Sequence, residues 1–100
     1  MHVRMAHYFF TNTMKIRSKK HISMVKLKTD YIILNENSGR YLKTNFLGAK
    51  IIKLIQDKHT FSELLNKICQ IYSIDKKTAS KDLKFFLNKA KGLEILDLTE

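Results

Sequence analysis

The apolar positions change their period along the chain, and the change divides it. Ile22–Lys28 alternates loosely, as a short strand does, and Tyr31–Leu34 is a compact run of aromatic and branched residues that suits a pleated sheet. Asn35-Glu36-Asn37-Ser38-Gly39 is a turn by composition: Asn and Ser side chains bond nearby backbone, and Gly39 accepts a positive φ. Arg40–Thr44 then returns as a strand, so a five-residue loop closes a β-hairpin. From Asn45, a natural N-cap, the period becomes helical. Leu47, Ile51, Ile52, Leu54 and Ile55 form a stripe that predicts a helix to about Gln56. Gly48 in its first turn lowers helix propensity and points to close backbone packing.

Two more helices follow. Thr60-Phe61-Ser62-Glu63 matches the capping box, in which hydroxyl and carboxylate each satisfy the other residue's backbone N–H. Phe61, Leu64, Leu65, Ile68, Cys69 and Tyr72 then recur on one helical face. After a break at Ser73-Ile74, Asp75 caps a third helix with a buried stripe of Ala79, Leu83, Phe86, Leu87 and Ala90, ending at Gly92 as the C′ residue. Leu93–Leu98 suits a last short strand. The expected fold is α+β and winged-helix-like: an N-terminal three-stranded antiparallel β-sheet followed by three α-helices, the last two arranged as in a helix-turn-helix. The hairpin precedes the helices here, unlike in an ordinary DNA-binding winged helix.

Charge changes this picture only at the N-terminus. The 100 residues hold 19 Lys and Arg against 9 Asp and Glu, a net +10. Residues 1–30 carry seven of the basic side chains and one acid, net +6, which leaves +4 for the remaining 70 residues. Residues 1–20 show no sustained period. They read as a basic arm gripping phosphates or an acidic partner, as a poorly ordered terminus, or as an upstream extension preceding a start at Met14. The expected division is therefore an arm over 1–20 and a domain over 21–100.

Candidate chemistry is sparse. Cys69 is the only cysteine, which excludes an internal disulfide and a cysteine-based zinc site, and it falls within a buried stripe. His2, His7, His21 and His59 have no metal-ligand spacing. No phosphate-binding glycine loop, nucleophile elbow or H-E-x-x-H motif is present, and Asp57, Asp75 and Asp82 form no acid/base pair. The expectation is a non-enzyme without a cofactor. No apolar run reaches the roughly 18 residues of a membrane span, and no secretory signal is present, so a cytoplasmic protein is expected.

Several short motifs in order resemble the PqqD-like family of precursor-peptide recognition elements. They are Ile33-Leu34 with the turn to Gly39-Arg40-Tyr41, Thr44-Asn45-Phe46-Leu47-Gly48-Ala49 leading to Ile51-Ile52, and Thr60-Phe61-Ser62-Glu63-Leu64-Leu65. Tyr72-Ser73-Ile74-Asp75, and Asp82-Leu83 with Phe86-Leu87, complete the set, which spans Tyr31–Leu98. The chain departs from the family pattern at Thr44, where Leu is usual, at Ile52, often Trp, and at Ala90, commonly Leu. The resemblance implies a monomeric, non-catalytic peptide chaperone. It would bind the leader of a ribosomally made precursor by strand addition and present it to a modifying enzyme, such as a leader peptidase or radical-SAM enzyme, with a lean towards the lasso-peptide type.

Carried onto this chain, the resemblance places the leader along the edge Arg40, Tyr41, Leu42, Lys43 and Thr44, and against Thr78, Lys81, Asp82 and Phe85 of the third helix. Phe85, large and apolar beside Lys84, either lines a leader pocket or shares core duty with Phe86. Lys43, Lys81 and Lys84 would attract an acidic leader, or form a solvated face. Asp82 either meets the leader or bonds a nearby backbone or lysine. The rival reading is a DNA-binding winged helix. The third helix argues against it, because it offers lysines for phosphates but no Arg, and only Asn88 as an amide at its far end.

Overall fold

Eight elements succeed one another in the computed structural model, which describes residues 10–57 and 59–99. They are β1 (Lys15–Ser18), β2 (Ile22–Leu27), β3 (Asp30–Asn35), β4 (Tyr41–Thr44), α1 (Phe46–Ile55), α2 (Phe61–Tyr72), α3 (Lys76–Gly92) and β5 (Leu96–Thr99). Strands β2, β3 and β4 form an antiparallel sheet in that order, with Tyr31 opposite Thr44 and Leu34 opposite Tyr41. The expected α+β architecture, sheet before helices, is what the chain adopts. One face of the sheet carries Ile33, Asn35 and Leu42, all buried, towards the helices.

The start signals act as their chemistry dictates. Asn45 accepts from the Gly48 N–H through its side chain, Thr60 and Glu63 complete a reciprocal capping box, and Asp75 accepts from the Thr78 N–H. Gly48 is required by proximity: a Cβ there would collide with the Thr44 side chain and come within 2.9 Å of the Phe86 ring. Residue 48 therefore sits against Thr44 and the Phe86 ring only because it has no side chain.

Two expectations need correcting. The first is the boundary at residue 20. Lys15–Ser18 is a strand, paired antiparallel with β5 in a separate two-stranded sheet. Met14 and Ile16 lie in the core, Ile16 with no exposed surface. The stretch is further stitched to the start of α2, where the Phe61 N–H donates to the Met14 carbonyl and the Ser62 N–H to that of Asn12. The core claims this segment because alternate apolar side chains can be buried while Lys15 and Arg17 remain in water. The rest of the expected arm, residues 1–9, lies outside the described residues.

The second correction concerns the end of α3. Gly92 is the last helical residue, Leu93 is the C-cap, and the left-handed residue is Glu94, with φ 62°. The Ile95 N–H donates to the Ala90 carbonyl and the Glu94 N–H to that of Lys91, the two bonds of a Schellman motif. Closing one residue pair later puts Ile95 fully into the core. It also fixes the Glu94 carbonyl on Asn35, whose Nδ2 donates to it at 2.6 Å while its Oδ1 accepts from the N–H groups of Asn37 and Ser38. Asn35, buried to 5% exposure, thus ties the hairpin turn to the turn before β5.

Candidate peptide-binding groove

The outer edge of β4 pairs with no strand among the described residues. The Asn35 N–H donates to the Arg40 carbonyl at 2.9 Å, which sets the phase of the β3–β4 ladder. By antiparallel alternation, Leu42 and Thr44 spend their backbone groups on β3, and Tyr41 and Lys43 point theirs outward. A four-residue edge with two outward-facing residues is a template for one added strand.

Beside Thr44 the surface falls into an apolar groove of about 210 Å³ between the first turns of α1 and the flank of α3. Leu47, Gly48 and Ile51 form one wall, Ala79, Leu83 and Phe86 the other, and Ile68 and Ile74 also line it. That volume equals about seven waters and is below the range of about 300–1,000 Å³ usual for small-molecule pockets. It suits one large side chain of a peptide. Asp82 is the only ionisable residue in the lining.

The expected site residues separate on this geometry. Tyr41 and Lys43 are exposed on the free edge, and Lys43 holds Asp30 in a surface ion pair at 3.5 Å. Thr44 and Asp82 border the groove. Leu42 has its side chain in the core at 2% exposure, so it supports the edge from behind. Arg40 has an exposed side chain, but its N–H donates to the Ser38 hydroxyl and its carbonyl accepts from Asn35. The Thr78 hydroxyl and N–H both bond the Asp75 carboxylate, which commits them to the helix cap. Lys81 is exposed and outside the groove.

Of the two adjacent phenylalanines, Phe86 lines the groove, whereas Phe85 is 73% exposed and absent from the lining. Lys84 points elsewhere, its Nζ 5.9 Å from the Phe61 ring centre. Leu47, Ile51, Ile68, Ile74 and Phe86 line the groove although their sequence pattern does not mark them as site residues. Their periodicity assigns most of them to core stripes, and a half-buried wall carries the same pattern as a fully buried one. Among the described residues no group of three or more His, Cys, Asp or Glu side chains could hold a metal ion. No helix among them is long and apolar enough to cross a membrane.

The family model for coenzyme PQQ synthesis protein D (PqqD) matches residues 30–96. The chain belongs to the PqqD family. The matched stretch begins at β3 and takes in β4, all three helices and the first residue of β5, so both the free edge and the groove fall within the region the family model matches. No curated protein matches the chain. Two solved structures share the fold. One is TbiB1 in complex with the TbiA(beta) leader peptide, 23% identical, covering 81% of this chain and 94% of that one with a TM-score of 0.69. The other is a lasso peptide synthetase B1 complexed with the leader peptide, 20% identical, covering 82% and 96% with a TM-score of 0.67.

Proposed function

We propose that this PqqD-family protein is a non-catalytic recognition element. It captures the leader of a ribosomally made precursor peptide as an added strand on β4 and presents it to a modifying enzyme of the same pathway, in the cytoplasm where the precursor is made. The observation that carries the reading is the juxtaposition of the unpaired β4 edge with the apolar groove against α3. Main-chain bonds to Tyr41 and Lys43 supply affinity that tolerates sequence variation, and one side chain in the groove supplies selection. The naming of both structural neighbours as leader-peptide complexes supports the same reading. Holding the leader would raise the local concentration of the rest of the precursor at the enzyme. A lasso-type pathway, with a leader peptidase as the enzyme, is the preferred assignment.

Fluorescence polarisation with a fluorescein-labelled synthetic leader, taken from a candidate precursor encoded near the gene, tests it. The expected Kd is on the order of a micromolar or tighter. Lys43→Pro removes an outward N–H without touching a β3–β4 bond, so it should weaken binding more than about tenfold while the circular dichroism spectrum is retained. Full affinity in the Lys43→Pro variant would overturn strand addition.

A further inference from the structure

A second concave feature lies at the Thr44 end of β4. Phe46, Ala49, Lys50 and Lys53 follow one another at i, i+3, i+4 and i+7 along α1 and share one stripe of that helix. With Tyr31, they line a cleft of about 90 Å³. Its base is aromatic: the Tyr31 and Phe46 rings meet edge to face, with centroids 6.4 Å apart. Phe46 is the first residue of α1 and remains 59% exposed, so the core does not account for it. Neither Lys50 nor Lys53 has a carboxylate partner among the described residues. Two lysines without a carboxylate partner among the described residues thus flank an aromatic floor, with no acid lining the cleft.

Its position relates it to the groove. Tyr31 stands opposite Thr44 in the sheet, and Leu47 and Ile51, next round α1 from Phe46 and Lys50, belong to the groove wall. A peptide strand leaving the β4 edge at Thr44 meets the first turn of α1 next. The groove on one flank of that turn takes an apolar side chain near a lone carboxylate. The cleft on the other flank presents apolar surface under two ammonium groups.

We propose that this cleft is a second subsite, which holds an acidic residue next to an apolar one in the segment of the peptide flanking the stretch paired with β4. This inference rests on the strand-addition reading and adds to it a located charge requirement. The carboxylate would sit between Lys50 and Lys53, and its apolar neighbour would lie against Phe46 and Tyr31. Exposed ion pairs contribute little each, so the subsite tunes selectivity over an affinity set mainly by the edge and the groove.

The test is a double-mutant cycle by fluorescence polarisation, with Lys50→Gln/Lys53→Gln on the protein side. On the peptide side, the same labelled leader is compared with a version in which Asp and Glu outside the paired stretch are replaced by Asn and Gln. Each change alone should weaken binding roughly three- to tenfold, and both together should cost little more than one. If the two effects multiply, or the lysine variant binds the native leader as well as the unaltered protein does, the subsite is overturned. A leader that binds through β4 but carries no acid outside the paired stretch overturns it too. Lys43→Pro separates the two readings. Loss of binding in that variant without coupling in the cycle sinks the subsite alone, whereas retained binding removes strand addition and the subsite with it.

Discussion

Glu94 holds a conformation that its side chain does not favour. At φ 62° it occupies the C′ position of α3, where glycine is the usual residue, and the surrounding bonds keep it there. Left-handed backbone costs an L-residue about 1–2 kcal/mol, and a glycine would recover part of this against its own greater loss of chain entropy. Glu94→Gly should therefore stabilise the protein by about 0.5–1 kcal/mol, read as a higher urea midpoint. The neighbouring Gly92, which invites the same role by sequence, should show no gain from its glycine. Glu63 makes the opposite point, a side chain suited to its place. The Thr60 N–H, donated to its carboxylate at 2.9 Å, holds its pKa below the ordinary value of 4.5. The Thr60 hydroxyl and the charge of His59 act in the same direction, and desolvation works against them. A lowered carboxylate pKa means stability that is fully present above the unfolded value and lost as pH falls through the folded one. Urea midpoints of the unaltered protein and Glu63→Gln should thus differ at neutral pH and converge on acidification. A constant gap across that range would show that the ionised carboxylate contributes nothing to the cap.

At the scale of elements, legibility followed locality. Each helix announced itself because cap, stripe and break lie within one short contiguous stretch of chain, and Asn45, Thr60 and Asp75 all cap as their chemistry suggests. The β3–β4 hairpin was equally local. β1 was not legible, because its one buried side chain, Ile16, lies between Lys15 and Arg17 and its partner strand lies about eighty residues away. Four residues hold too few alternations to establish a period. The groove was illegible for a different reason: periodicity separates inside from outside but does not distinguish a packed wall from an open one. β1 is nonetheless structural. Ile16 has no exposed surface and sits in the main core cluster. Ile16→Ala should cost about 2–4 kcal/mol in chemical denaturation, and a chain begun at residue 20 should fail to give a cooperative transition. A cooperative, undiminished transition in either would return this segment to the status of an appendage.

For the molecule as a whole, the proposed function turns on which surface a leader would cross. The net +10 attracts any acidic partner from a distance but does not select a face. Selection falls to shape, and the two adjacent phenylalanines of α3 separate the possible paths. Phe86 lines the groove, its ring close to Gly48 of α1. Phe85 lies three residues beyond Asp82 on the outward side of the helix, largely in water. A leader lodged between α1 and α3 buries surface against Phe86, and one that rides over the crest of α3 buries it against Phe85. Phe86→Ala should weaken the labelled leader by more than about tenfold, the affinity equivalent of losing roughly 1.5 kcal/mol of burial. Phe85→Ala should change it by less than about threefold, because an exposed ring outside the contact contributes little. Phe86 is half-buried, so its removal also destabilises the fold by about 2 kcal/mol. Phe86→Leu, which keeps most of the packing and trims only the wall, checks that the loss is one of contact. Its binding should fall between the unaltered protein and Phe86→Ala, with a urea midpoint close to that of the unaltered protein. The reverse ranking, Phe85→Ala severe and Phe86→Ala mild, would move the peptide out of the groove and onto the exposed face of α3, where Lys81 and Lys89 would replace the apolar walls as its neighbours.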